Sequence, residues 1–148
     1  MSHYCMSQQE WAAQALQSFD AVVSATEGFR SRTGQRRMAE QVAHTFSRAQ
    51  LGKLEEGEGE GAPPPAPQRS IAVVQAGTGV GKSLAYSVPA IAMALERGTR
   101  VLISTATVAL QEQLVNKDLP ALAARMAQPF RFALAKGRGR YVCKLKLE

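Results

Sequence analysis

The sequence predicts an α/β fold: a parallel sheet flanked by helices, preceded by N-terminal helices. Three observations carry the prediction. Three short apolar runs, "SIAVVQA" at 70–76, "RVLIST" at 100–105 and "FRFALA" at 130–135, show no helical period. Segments with helical spacing separate them, and a glycine-rich turn follows the first. Apolar strands joined by helical crossovers imply parallel pairing with both faces covered, and the crossovers should be right-handed. All strands then point one way. The loops after residues 75, 104 and 135 would leave from one sheet edge, where open α/β sheets bind ligands.

Taken in order, Gln8 to Val23 reads as a helix, with Trp11, Ala12, Ala15, Leu16, Phe19 and Val23 on one face. "TEGFRSRTG" breaks it. A second helix is predicted over Gln35 to Ala49, with Met38, Val42, Phe46 and Ala49 as its stripe. Residues 51–69, "LGKLEEGEGEGAPPPAPQR", are low-complexity. Glutamates repel, glycines cost ordering entropy and prolines favour extended chain, so a mobile insertion is expected. After the first apolar run, Ser83 to Arg97 reads as a helix with Leu84, Val88, Ile91 and Leu95 as its stripe. Gly98 is its stop, and a kink is expected at Pro89, which lacks a backbone donor. "VALQEQLVNKDLPALAARM" reads as two short helices divided at Pro120.

Bulk properties bound the function. The 148 residues suit one domain or part of one, and 45% hydrophobic content excludes full disorder. No apolar run reaches the roughly 18 residues of a membrane span, and no signal-peptide pattern opens the chain. Two cysteines, Cys5 and Cys143, far apart in sequence, do not make a disulfide framework, and a reducing cytoplasm is expected. The net charge of +6 suits a polyanionic partner. It is uneven: Glu55, Glu56, Glu58 and Glu60 form an acidic run. Residues 131–148 carry Arg131, Lys136, Arg138, Arg140, Lys144 and Lys146 against Glu148.

The sharpest signal is "AGTGVGKS", residues 76–83. It matches the phosphate-loop pattern G-x-x-x-x-G-K-[ST] except at the first position, Ala76. Gly77, Gly79 and Gly81 would let the backbone turn its N–H groups toward an anion, with Thr78 and Val80 between them. The helix starting near Ser83 adds its positive end. Lys82 would reach the β- and γ-phosphates of ATP, and the Ser83 hydroxyl would ligate Mg²⁺. A strand before and a helix after supply the context that a bare glycine-rich turn lacks. The loop alone does not choose a reaction.

Four segments together resemble one family. The loop followed by "LAYSVPAIA", the stretch "STATVALQEQLVNKDLP", the segment "KGRGRYVC" and the earlier "RSRTGQRRMAEQVA" are similar to DinG-type helicases of superfamily 2 and their XPD-like relatives. The resemblance covers about residues 28–50 and 70–143. It implies a RecA-like nucleotide-binding domain: residues 1–50 as N-terminal helices with a Q-type motif, 70–135 as the α/β core, and 136–148 as the start of an iron–sulfur region. It further implies that Gln35 reads the adenine edge, where a side-chain amide offers donor and acceptor, with Arg32 at the motif's basic position. Without the neighbouring motifs, Gln35 reads as an exposed polar residue at a helix start. Thr105 and Thr107 would contact single-stranded DNA phosphates or, more simply, cap the following helix. Arg138 and Arg140 would meet DNA or balance a cluster's charge. Cys143 would be the first thiolate of a 4Fe–4S cluster, and its partners would have to come from beyond residue 148.

A D-E-x-[HD] acidic motif, a second motor domain and an arginine finger are not found in this sequence. The expected reading is therefore a portion of an ATP-dependent DNA helicase, here an incomplete nucleotide half-site with Cys143 as a free thiol, monomeric and away from membranes. Two alternatives stand beside it: another superfamily 2 motor acting on RNA, and a non-catalytic nucleotide or nucleic-acid binding module.

Overall fold

Ser7 opens the first helix. Its hydroxyl accepts the Glu10 N–H at 3.3 Å, and the Glu10 carboxylate accepts the Ser7 N–H at 2.7 Å. This reciprocal pair satisfies two donors that a helix start would otherwise leave unpaired. The computed structural model describes residues 6–26, 28, 32–49 and 68–137. Within them lie α1 (Gln8–Ser24), α2 (Thr33–Arg48) and α3 (Lys82–Arg97). They are followed by α4 (Val108–Gln113), a π-helical turn (Leu114–Asp118) and α5 (Leu119–Ala123).

The first three helices pack against one another in all three pairings. Phe19, Val22 and Val23 of α1, Ala39 of α2 and Ala85, Val88 and Ile91 of α3 form the main core, which Leu122 of α5 joins. A smaller cluster of Ala12, Ala15, Ala43 and Met93 lies beside it under Trp11. The expected stripe of α1 is found, extended by Val22. That of α2 is found in part: Val42 is buried and Met38 packs against the core. Its buried residues are Gln35, Ala39, Val42, Ala43 and Ser47, while Phe46 is exposed. The small residues Ala39 and Ala43 face inward because three helices converge there, and a bulky stripe would hold them apart. The central turns of α3 are buried nearly all round, from Ala85 to Ile91 except Tyr86.

Arg97, in the last turn of α3, ties these helices at their far end. It donates to the carbonyls of Phe46, Ser47 and Ala49, each at 3.1 Å, and so satisfies carbonyls at the end of α2. Its guanidinium also lies 4.9 Å from the Trp11 ring centroid, a cation–π distance. Burial lowers the Arg97 pKa from the usual arginine value. At the other end Arg36 makes a two-point contact with Asp20, both bonds at 3.2 Å, joining α2 to α1.

Two helical expectations meet different outcomes at proline. α3 runs unbroken through Pro89, which is fully buried. Pro120 does not divide a helix pair at its own position. The preceding turn widens into the π form, and the Leu119 N–H reaches the Leu114 carbonyl. A proline ring clashes with the carbonyl four residues back in an α-helix, and a wider turn relieves that contact.

Among the described residues no strand is assigned, and Gln68 alone forms an isolated bridge. The runs 70–76, 100–105 and 130–135 are non-helical, as expected, but form no ladder. Several of their side chains are open: Ile71 is 83% exposed, Val73 94% and Leu102 90%, while Ile103 is half-buried and Phe130 packs against the main core. A cleft of about 840 Å³ separates segment 99–105 from segment 129–135, floored by Ile91 and Leu95 of α3, Leu114 and Leu119. The expected parallel sheet is thus not formed here. A helix closes its own hydrogen bonds, whereas a strand takes them from neighbours in register. The insertion 51–69 and its expected mobility fall outside the described residues except for Gln68 and Arg69.

Candidate functional site

The loop 76–82 is held from two sides. Gly79 and Gly81 take φ of 78° and 87°, the left-handed region that glycine enters without penalty. Gly77 does not, and a Cβ on it would meet nothing within 4 Å. Left-handed backbone therefore explains two of the three glycines expected to shape the turn. The Lys82 ammonium curls back into the loop and donates to the carbonyls of Ala76 at 3.0 Å and Gly77 at 2.8 Å. From the opposite side, the start of α2 reaches in. Gln35 Nε2 donates to the Gly81 carbonyl at 3.0 Å, and Arg32 Nη1 donates to the Gly79 carbonyl.

Gln35 is completely buried, not the exposed polar residue that its position at a helix start suggested. Its Oε1 has no hydrogen-bond partner. Gly81 sits so close that a Cβ there would lie 2.2 Å from Gln35 Nε2. The Gly81 carbonyl also accepts the Ala85 N–H at 3.2 Å, so both its lone pairs are engaged. No side chain caps the first turn of α3. Ser83, expected on Mg²⁺, is half-buried in that first turn, and Thr78 and Val80 lie in the turn above it. Arg32, Gln35 and residues 76–83 thus come together from segments more than 40 positions apart. The sequence pattern flagged every one of them. It did not reveal that the α2 side chains grip loop carbonyls.

Thr107 caps α4, its hydroxyl accepting the Leu110 N–H at 3.3 Å. The Thr105 hydroxyl donates to the Thr107 carbonyl at 3.3 Å. The capping alternative therefore holds for Thr107, and the turn just before α4 is exposed apart from half-buried Thr105. Arg138, Arg140 and Cys143 lie outside the described residues. Among the described residues no cluster of three or more histidine, cysteine or acidic side chains could hold a metal ion. No described helix is long and apolar enough to cross a membrane.

The site therefore has the parts of a phosphate-binding loop, and comparison with known proteins points the same way. The family model described as DEAD/DEAH box helicase matches residues 61–131, which implies a RecA-like fold for that segment. More specifically, the chain is 44% identical over 131 residues to the "ATP-dependent helicase DinG" of Mycobacterium tuberculosis (strain ATCC 25177 / H37Ra), covering 86% of this chain and 17% of that protein. It is 59% identical over 76 residues to the "ATP-dependent DNA helicase DinG" of Photobacterium profundum, covering 51% of this chain and 11% of the relative. The same-named protein of Salmonella typhimurium is 50% identical over 74 residues, half of this chain and 10% of the relative. The chain spans less than a fifth of the length of these relatives. The resemblance to DinG-type helicases read from the motifs is borne out.

Proposed function

We propose that the chain is a nucleotide-binding portion of an ATP-dependent DNA helicase of the DinG type. One observation carries this reading: a loop with two left-handed glycines wraps a lysine ammonium directly before a helix start that no side chain caps. The likeness to helicases over residues 61–131, and over 86% of the chain in one relative, supports the choice among phosphate-loop proteins.

The loop's own groups do most of the chemistry. Backbone N–H groups and the α3 N-terminus would bind the phosphates. Lys82 would exchange the carbonyls of Ala76 and Gly77 for β- and γ-phosphate oxygens, trading neutral acceptors for charged ones. The Ser83 hydroxyl would complete the coordination of Mg²⁺, which neutralises charge on the phosphates when bound. In this proposal the runs 70–76, 100–105 and 130–135 become strands of a parallel RecA-like sheet only in the complete helicase. Single-stranded DNA phosphates would meet Thr105, Thr107 and the turn before α4, with Arg138 and Arg140 adding salt-dependent contacts. Cys143 would supply one thiolate to a 4Fe–4S cluster in the complete helicase. A cytoplasmic monomer is the setting that goes with this reading.

Lys82→Ala tests it. Binding of Mg-ATP in calorimetry should fall by about two orders of magnitude, because two charge-assisted contacts are lost, while the far-ultraviolet circular dichroism stays unchanged. Equal affinity in the variant would remove the loop from the nucleotide site.

A further inference from the structure

We infer that Arg97 is a positioning residue for the nucleotide site: it clamps the far ends of α2 and α3 together and so fixes the register that brings Arg32 and Gln35 to the phosphate loop. The inference rests on the nucleotide-site reading above and extends it to a residue that touches no nucleotide.

α2 and α3 are each 16 residues, about 24 Å long. They run the same way, because contacts join start to start and end to end. At the starts, Gln35 donates to the Gly81 carbonyl at 3.0 Å and Arg32 to that of Gly79. At the ends, Arg97 Nη1 donates to the carbonyls of Phe46 and Ala49, and Nη2 to that of Ser47. Between the two lies apolar packing. Ala39 shares a cluster with Ala85, Val88 and Ile91, and Ala43 shares one with Met93. Contacts of that kind have no preferred direction, and small side chains offer little to stop one helix sliding on the other. A slide of one residue is about 1.5 Å, enough to take a hydrogen bond out of range. The register is therefore fixed at the ends. Three bonds from one planar guanidinium fix it more firmly than a flexible ammonium could.

Arg97 is itself held. Its guanidinium lies 4.9 Å from the Trp11 ring centroid, and the Trp11 Nε1–H donates to the Met6 carbonyl at 3.1 Å. One residue before it, the Glu96 carboxylate accepts from Gln14 Nε2 at 3.3 Å. The start of α1 thus braces the joint from a third side. Stability alone does not ask for this arrangement. The last carbonyls of a helix can turn to water, and a half-buried guanidinium gives up hydration, which lowers its pKa here. What water cannot do is hold α2 at one place along α3. That place matters at the other end, where a Cβ on Gly81 would strike the Gln35 amide. With so close an approach, a small shift of α2 along α3 either presses on the loop or leaves it.

The test measures Mg-ATP affinity by calorimetry in the intact protein and its variants, at a temperature where circular dichroism shows each fully folded. Arg97→Met keeps an apolar stem over Trp11 and removes the donors. It should weaken Mg-ATP about fivefold, the low end of couplings between separated sites. Leu122→Ala, in the core but outside the clamp, should lose more thermal stability. Its affinity should stay within about twofold, as expected for an independent position. In a Gln35→Ala background, Arg97→Met should cost about twofold or less, with Arg32 alone left to carry an effect that shares one path. Arg97→Lys keeps the charge without the fork. It should also weaken binding, and it carries the same comparisons if the methionine variant does not fold. Unchanged affinity in the Arg97 variants, or an equal fall in Leu122→Ala, would overturn the inference. So would full rescue by lysine, which would leave only charge at a helix end, or an undiminished loss in the Gln35→Ala background. An unaltered protein that does not bind Mg-ATP would sink the nucleotide reading itself, and this inference with it.

Discussion

The helical part of the molecule and the apolar runs at 70–76 and 100–105 have similar side chains and largely opposite fates, while Phe130 opens the third run against the helical core. Phe19, Val22, Val88 and Ile91 are buried among α1, α2 and α3. Ile71, Val73 and Leu102 are almost fully open. Hydrophobicity does not separate the two sets. Backbone hydrogen bonding does. Each helix satisfies its own polar backbone and needs neighbours only for one face. A strand needs neighbours for its backbone as well, in register and on both sides if it is central. A helix can therefore settle wherever one face finds a neighbour, whereas a strand also needs a partner in register.

Substitutions at matched positions should break or sharpen this contrast. The largest effect is expected at the core. Phe19→Ala should cost about 3–5 kcal/mol in denaturant unfolding, while Leu102→Ala, 90% exposed, should stay within about 0.5 kcal/mol. A Leu102→Ala cost of about 2 kcal/mol or more would mean that the run is buried, and the contrast would fail.

A smaller effect is expected at the junction, where the first run passes through the loop into α3. Gly79→Ala should destabilise by about 1–2 kcal/mol for left-handed backbone alone. Gly81→Ala should cost more, because it adds a collision with the Gln35 amide that Gly79 lacks. Equal thermal shifts for the two variants would show that Gln35 yields freely.

The smallest effect concerns the entrance to α1. The Ser7 backbone N–H, and after it the Ser7 hydroxyl, hold the Glu10 carboxyl below the ordinary 4.5. A depressed carboxyl contributes stability above its unfolded pKa and loses it as pH falls through the lower folded value. Helicity should therefore decline slightly on acidification below about pH 4.5, and Glu10→Gln should flatten that part of the curve in circular dichroism. An unchanged pH profile in the variant would mean that the cap carries no linkage.

Legibility from sequence follows the same physical line. The three long helices lie within two residues of their expected bounds, because periodicity, caps and Gly98 are local signals. The loop 76–83 was legible for the same reason. The inward face of α2 was not. Phe46 has the greater hydrophobicity, yet it is exposed, and Ala39 and Ala43 are what close helix packing admits beside Val42 and half-buried Met38. The widened turn before Pro120 was also out of reach, since a proline says that a helix must adjust without saying on which side. Nor does anything local tell that Arg97 ends on the carbonyls of α2, some 50 positions earlier.

By itself, then, the sequence determined where the three long helices begin and end, where a glycine-rich backbone turns, and which lysine sits at that turn. These depend on neighbours within a few positions. Only the tertiary structure decided that Gln35 is enclosed, that its donor goes to Gly81 across 46 positions, and that its oxygen goes without a partner. Those facts depend on how α2 packs against α3, and no pattern within either segment encodes the approach of the other.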